Sequence, residues 1–192
     1  MERMVDFAHR FLAETLAAGD RAVDLTAGRG RDTLFLAEQV LPGGELFAFD
    51  IQRDALAQTE NLLRSHGFAV GGGDGSRGGI ALIEAGHEKL ASYVEGPLRA
   101  AIANLGYLPG GDPGVTTHMQ TTLTALQAVL ALLAPGGRLA VVGYVGHAGG
   151  CSETEAVAAL FAGLESREWT TMRIAMLNRV SAPVLLMAER RR

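Results

Sequence analysis

The sequence predicts a doubly wound α/β domain, a seven-stranded, mostly parallel sheet with helices on both faces. Three observations predict it. A short apolar run, Arg21 to Leu25, meets a glycine turn, Ala27-Gly28-Arg29-Gly30, and then a helical pattern from Leu34 onward. A second apolar run, Leu46 to Asp50, ends in a carboxylate about 20 residues past the glycines, placed to accept hydrogen bonds from a ribose diol. Helical and strand patterns then alternate as far as Tyr144, and two further strands close the chain.

Residues 4 to 18 carry a helical stripe of Met4, Phe7, Ala8, Phe11, Leu12, Thr15 and Leu16. Gly19-Asp20 ends it and leads into the first strand. The helix after the glycine turn runs to about Val40, where Leu41-Pro42-Gly43-Gly44 breaks it. Gln52 to Ser65 reads as the next helix, Ile80 to Ala85 as strand three, and Gly86-His87-Glu88-Lys89-Leu90 as the start of a short helix. Strand four, Leu98 to Ala103, ends at Asn104. A long helix is expected over Val115 to Leu133, and a Pro135-Gly136-Gly137 turn precedes strand five, Arg138 to Tyr144. Ser152 to Leu164 reads as a helix with a capping box, Ser152 as N-cap and Glu155 three residues on. Trp169 to Leu177 and Pro183 to Ala188 read as an antiparallel pair. The glycine-rich stretch 71–79 reads as a mobile surface loop within a single domain of residues 1–192.

Composition narrows the function. With 192 residues and 48% hydrophobic content the chain can bury a full core, and no apolar run reaches the roughly 20 residues of a membrane span. The N-terminus lacks the build of a signal peptide, and a lone cysteine, Cys151, rules out an internal disulfide, so a cytoplasmic protein is expected and Cys151 reads as structural. A net charge of −4 argues against a general nucleic-acid coat but leaves room for an enzyme with a local basic patch. No Cys/His cluster has zinc spacing and no Gly-x-Ser-x-Gly elbow occurs, so neither a metal nor a serine hydrolase is expected.

The nucleoside follows from charge. A dinucleotide turn wants G-x-G-x-x-G, with the pyrophosphate on the helix N-terminus. Here Thr33 stands in the place of the third glycine, and Asp24 and Asp32 flank the turn, where they would repel a pyrophosphate. S-adenosylmethionine carries an ammonium and a sulfonium and no phosphate, which suits those acids. It is expected over NAD. A turn without a ligand ranks third, because Asp50 has no packing reason to end an apolar strand.

A second constellation follows strand four, Asn104-Leu105-Gly106-Tyr107-Leu108-Pro109-Gly110-Gly111-Asp112. Ligands of open α/β sheets sit at the carboxyl ends of the strands, so this loop should face the glycine turn. An Asn side-chain oxygen can accept the protons of an amine nucleophile and aim its lone pair, and an aromatic ring can stack on the base that carries the amine. His9 and His66 lie on helices read as surface and are expected to be solvated. His87 could cap the short helix or meet the ligand, and His118 and His147 follow strand ends on the expected active face of the sheet, with His147 the stronger candidate. The tail Arg190-Arg191-Arg192 is expected to be disordered or to touch phosphate.

With these motifs, together with Thr116-Thr117 and Gly143-Tyr144-Val145-Gly146-His147, the chain resembles the small bacterial methyltransferases grouped as rRNA methylases. Their characterised members are tRNA 5-(aminomethyl)-2-thiouridine methyltransferases. The Asn104 to Asp112 run carries the resemblance most specifically; His118, Val145 and the short Asn178 to Pro183 loop depart from the family pattern. The resemblance implies a Rossmann-like class I methyltransferase using S-adenosylmethionine on the wobble uridine of the tRNA anticodon loop. It implies that Asp24, Thr26, Gly28, Gly30, Asp32 and Thr33 line the methionine end of the cofactor, with Asn104 adjoining. Asp50 and Gln52 would hold the ribose, and His87 and Glu88 would lie near the adenine. Asn104, Tyr107 and His147 would serve the transfer, and Tyr107, Asp112, Thr117 and His118 the substrate. No membrane or metal partner is expected, and a homodimer is left open. The rivals are a methyltransferase for rRNA or a small-molecule amine, a nucleotide-binding module without catalysis, and an NAD-dependent oxidoreductase.

Overall fold

The computed structural model describes residues 3–71, 78–108, 110, 114–146 and 149–192. In chain order the elements are α1 (Met4–Ala13), β1 (Arg21–Asp24), α2 (Arg31–Val40), β2 (Glu45–Asp50), α3 (Arg53–Ser65), β3 (Gly79–Glu84), a 3-10 helix (His87–Ser92), β4 (Leu98–Leu105), α4 (Met119–Leu132), β5 (Leu133–Gly143), α5 (Gly150–Ala162), β6 (Trp169–Ile174) and β7 (Val184–Arg190). The seven strands lie in one sheet in the order β3-β2-β1-β4-β5-β7-β6. β1 to β5 pair in parallel, and β7 inserts antiparallel between β5 and β6. The chain winds outward from β1 to β3 and returns to β4, so the order reverses between β1 and β4. That switch opens a crevice at their carboxyl ends.

Alternation along each strand divides the side chains between two cores. Ala22, Leu46, Ile80, Ala100, Ile102, Ala140, Val142, Leu185 and Met187 point to one face, where Met4, Ala8 and Leu12 of α1, Leu36, Ala37 and Val40 of α2 and Leu63 of α3 close over them. Val23, Phe49, Ile83, Ala101, Ala103, Leu139, Val141, Leu186 and Ala188 point to the other, under Leu126 and Val129 of α4 and Val157 and Phe161 of α5. Strands apolar on both faces must be covered on both, which is why a continuous apolar run such as Ala100 to Ala103 lies mid-sheet.

Several boundaries depart from the sequence reading. α1 stops at Ala13, short of residue 18. α4 starts at Met119 rather than Val115, because Thr116 bridges to Tyr107 and Thr117 bonds back to Gly106, which holds this segment extended. β5 begins at Leu133, so Pro135-Gly136-Gly137 sits within its irregular first stretch rather than before it. β6 ends at Ile174, before Leu177. The capping box of α5 does not form: the helix starts two residues earlier, at Gly150 with Gly149 as its N-cap, Ser152 Oγ donates to the Gly149 carbonyl, and Glu155 pairs with Arg173 on β6. Cys151 is exposed, not a core residue. The C-terminal arginines are not free: Arg190 donates to the Leu133 carbonyl and Arg191 to the Ser166 carbonyl, both 2.6–3.1 Å. Positions 72–77 of the glycine-rich stretch lie outside the described residues.

Candidate functional site

The site grows from the turn between β1 and α2. Gly30 is the N-cap of α2 with φ +81°, and a Cβ there would lie 2.8 Å from the Cα of Thr59 on α3. Only glycine fits both the left-handed backbone and the close approach. Thr59 Oγ1 in turn donates to the Gly28 carbonyl (3.1 Å), so α3 braces the turn from below. The Gly28 N–H donates to Asp50 Oδ2 (2.9 Å), and the Gln52 N–H donates to Asp50 Oδ1 (2.8 Å). The carboxylate at the tip of β2 is thus fixed between the turn and the start of α3, with lone pairs left on both oxygens for a further donor.

Asp24 is fully buried beneath the turn. It accepts the Thr26 N–H (3.0 Å) and the Thr33 hydroxyl (2.6 Å), and burial first, then the nearby charge of Asp32, pushes its carboxyl up from the ordinary carboxylate range. Thr26 Oγ1 accepts the backbone N–H of Asn104 (2.7 Å), which ties the tip of β1 to the tip of β4. The Asn104 amide nitrogen donates to Asp32 Oδ2, and the other oxygen of Asp32 meets His9 Nε2 at 2.6 Å. His9 therefore is not solvated as the sequence suggested. Its ring stacks on Phe35 of α2 with centroids 4.0 Å apart and an interplanar angle of 5°.

A second polar cluster supports the β4 loop from the opposite face. Glu153 of α5, 2% exposed, accepts the hydroxyls of Thr117 (2.8 Å) and Thr122 (2.6 Å). Thr117 Oγ1 also accepts the Gly106 N–H (2.9 Å), and its own N–H returns to the Gly106 carbonyl (3.1 Å). Thr117 thus clamps the loop that follows Asn104. His87 turns its Nδ1 to the Leu25 carbonyl (3.2 Å), so that nitrogen carries the hydrogen, and Nε2 stands 3.5 Å from Thr122 Oγ1. Burial pushes the imidazole down, which favours its neutral form, although the bond to Leu25 opposes this. The cap of the 3-10 helix falls to Gly86 rather than His87, and Glu88 folds its carboxylate back over Gly86.

Tyr107 is 44% exposed at the crevice, and Tyr144, at the end of β5, is 40% exposed. Burial of its hydroxyl and then the charge of Asp32 push Tyr144 up. His118 is the exposed N-cap of α4, and it offers its carbonyl, not its ring, to Thr121 and Thr122. Asp112 and His147 lie outside the described residues. Sequence reasoning missed His9, Tyr144 and Glu153 as parts of the site. For His9 a signal existed: it adjoins the buried Met4, Ala8 and Leu12 stripe of α1, and an acid in the first turn of α2 needed a partner. Glu153 gave none, since its Thr117 and Thr122 partners lie more than thirty residues away.

The crevice therefore sets the carboxylates Asp32 and Asp50 around a glycine turn, and Asp24, which the sequence placed at the methionine end, lies buried beneath that turn instead. These acceptors fit a nucleoside bearing positive charge and disfavour a pyrophosphate. A family model described as "Putative rRNA methylase" matches residues 46–190. The chain belongs to this family. Over 197 residues this chain is 36% identical to the tRNA (mnm(5)s(2)U34)-methyltransferase, chloroplastic, of Arabidopsis thaliana, covering 99% of this chain and 70% of the relative. A solved structure of the same family description from Clostridium thermocellum superposes with a TM-score of 0.89 at 33% identity, covering 99% of this chain and 98% of the other. SMU.1697c of Streptococcus mutans, solved in complex with SAH, gives 0.86 at 36% identity with 99% of both chains covered. The chain has the α/β fold of S-adenosylmethionine-dependent methyltransferases and is an enzyme of that kind. Among the described residues no helix is long and apolar enough to cross a membrane, and no group of three or more His, Cys, Asp or Glu side chains is placed to hold a metal.

Proposed function

We propose that the enzyme transfers a methyl group to the aminomethyl nitrogen of a modified wobble uridine in tRNA. One observation carries the reading. Asn104 stands at the tip of β4, locked through its backbone to Thr26 and through its amide to Asp32, beside the exposed ring of Tyr107. That arrangement suits an amine on a flat base: the Asn104 oxygen accepts an amine proton, and Tyr107 offers a face to the ring. The likeness to the Arabidopsis enzyme over nearly the whole chain supports the same substrate class.

When bound, S-adenosylmethionine supplies an electrophilic methyl on its sulfonium. Asp50, joined by Gln52, would take the ribose hydroxyls; Asp32 and the turn of Gly28 and Gly30 would face the methionine end, with the buried pair of Asp24 and Thr33 bracing the turn from beneath; His87 and Glu88 would border the adenine side. The neutral amine gives its lone pair to the methyl carbon, the carbon–sulfur bond breaks, and its electron pair stays on sulfur as the thioether. The secondary ammonium so formed then loses one proton to solvent. The chain's task is to bind the neutral amine and align it, which is where oriented hydrogen bonds contribute to rate. His118 and Thr117 border the acceptor, Thr117 through the loop it clamps. The acids of the crevice disfavour NAD, and the ordered Asn104 and Tyr107 are unexplained by a module that only binds.

The test is transfer of labelled methyl from S-adenosylmethionine to three acceptors: tRNA carrying an aminomethyl wobble uridine, the same tRNA without it, and ribosomal RNA. Label in the first alone is expected. Label in ribosomal RNA alone would replace the reading with its rival.

A further inference from the structure

Asp32 has two oxygens, and the structure spends both on side chains from distant segments. Oδ2 meets the amide nitrogen of Asn104, 72 residues away, and Oδ1 meets His9 Nε2, 23 residues away. A carboxylate only accepts hydrogen bonds, so each group facing it must be a donor. This settles the two ambiguous side chains by chemistry. His9 presents Nε2–H to Asp32, and Asn104 presents its NH2, which turns its carbonyl oxygen to the other side. The imidazole is itself held, stacked with its centroid 4.0 Å from that of Phe35 and its plane nearly parallel to that ring. Asp32 is 7% exposed, so its rotamer is set by these partners rather than by water.

We infer that His9 is a positioning residue, acting through Asp32 to fix which end of the Asn104 side chain faces the acceptor. The inference rests on the proposed role of Asn104 in holding the amine. An Asn amide free to flip would present NH2 to the amine half the time, and two donors facing one another repel. A carboxylate pinned at both ends removes that freedom. α1 thus does more than cover the sheet: it delivers one side chain that orders a residue on β4 without touching the acceptor. His9 lies at 23% side-chain exposure, so it can be replaced without opening the core formed by Met4, Ala8 and Leu12.

Two measurements test this. The first needs no substrate: the side-chain amide of Asn104 is followed in nitrogen–proton correlation spectra, assigned by its loss in Asn104→Ala. In the wild type one amide proton should be shifted downfield and slow to exchange, as expected for a bond to a carboxylate. His9→Ala should abolish that signature, and His9→Gln, whose amide can donate from nearly the same place, should restore it. The second is a double-mutant cycle on methyl transfer to tRNA. His9→Ala is expected to lower kcat about ten- to a hundredfold, with KM for S-adenosylmethionine changed by less than about threefold. In the Asn104→Ala background the same change should have almost no further effect on kcat, because the two residues act as one unit. An Asn104 amide signal indifferent to His9→Ala overturns the inference, and so do additive effects in the cycle. If the wild type transfers no methyl to tRNA while the amide signature behaves as expected, the substrate reading falls and the positioning by His9 stands.

Discussion

Asp24 shows at the scale of one residue what burying an acid at a cofactor turn does. Both its oxygens are spent on Thr26 and Thr33, water is excluded, and Asp32 sits close by. Burial and then that neighbouring charge raise its carboxyl above the ordinary range. The sign of the consequence is fixed. A group whose folded value lies above its unfolded one contributes stability that is whole below the unfolded carboxylate range and is lost as pH rises toward the folded value. Asp24→Asn imitates the protonated form at every pH, keeping an acceptor for Thr26 and offering a donor to Thr33. Urea midpoints of the cofactor-free protein, read from about pH 4 to about pH 8, should show the wild type losing ground to Asp24→Asn as pH rises, at no more than about 1.4 kcal/mol per pH unit. A difference that stays flat across that range would contradict a raised carboxyl.

At the scale of elements, α5 supports the site without reaching it. Glu153 is the shared acceptor for Thr117 and Thr122, and Thr117 in turn clamps Gly106. Glu153→Ala strands two hydroxyls in the interior and should cost about 1–3 kcal/mol in a urea titration, with Glu153→Gln costing less because one acceptor oxygen survives. Equal midpoints for wild type and Glu153→Ala would show that the cluster carries no stability. The same element explains what the sequence could and could not disclose. The strand–turn–helix at Val23 to Thr33 was legible because its signals are local: an apolar run, two glycines and an acid within a dozen residues. Asp50 and Asn104 were legible because strand tips of a parallel sheet converge on one edge. The start of α5 was not, since Ser152 and Glu155 make a fair capping box until Arg173, on another element, claims Glu155. α4 lost its first turn to the pairing of Thr116 with Tyr107 for the same reason. His9 stayed hidden because its partner is fixed only once α1 folds over α2.

The whole molecule is acidic, with a net charge of −4, yet its substrate is proposed to be a polyanion. RNA recognition must then rest on few cations. Arg31 and Lys89 are exposed near the carboxyl ends of the strands, with Arg29 on the turn itself. Arg190 and Arg191 cannot join them, because β7 runs antiparallel and leaves them at the opposite edge, where Arg190 pairs in register with Trp169. Binding to tRNA should therefore weaken only gently with salt, at a slope equivalent to about three or four phosphates. Replacing Arg31 and Lys89 with Gln should lower affinity, and replacing Arg191 and Arg192 should not. A slope of about ten, or a strong effect of the C-terminal pair, would relocate the RNA surface. The most direct measurement for the account is the product itself. Purified enzyme, S-adenosylmethionine and tRNA bearing the aminomethyl wobble uridine are incubated, and the digested nucleosides are analysed by tandem mass spectrometry. The account predicts one added methyl, retained on the fragment that contains the side-chain nitrogen. A methyl on the ribose, on a ring atom or on another nucleotide would contradict it.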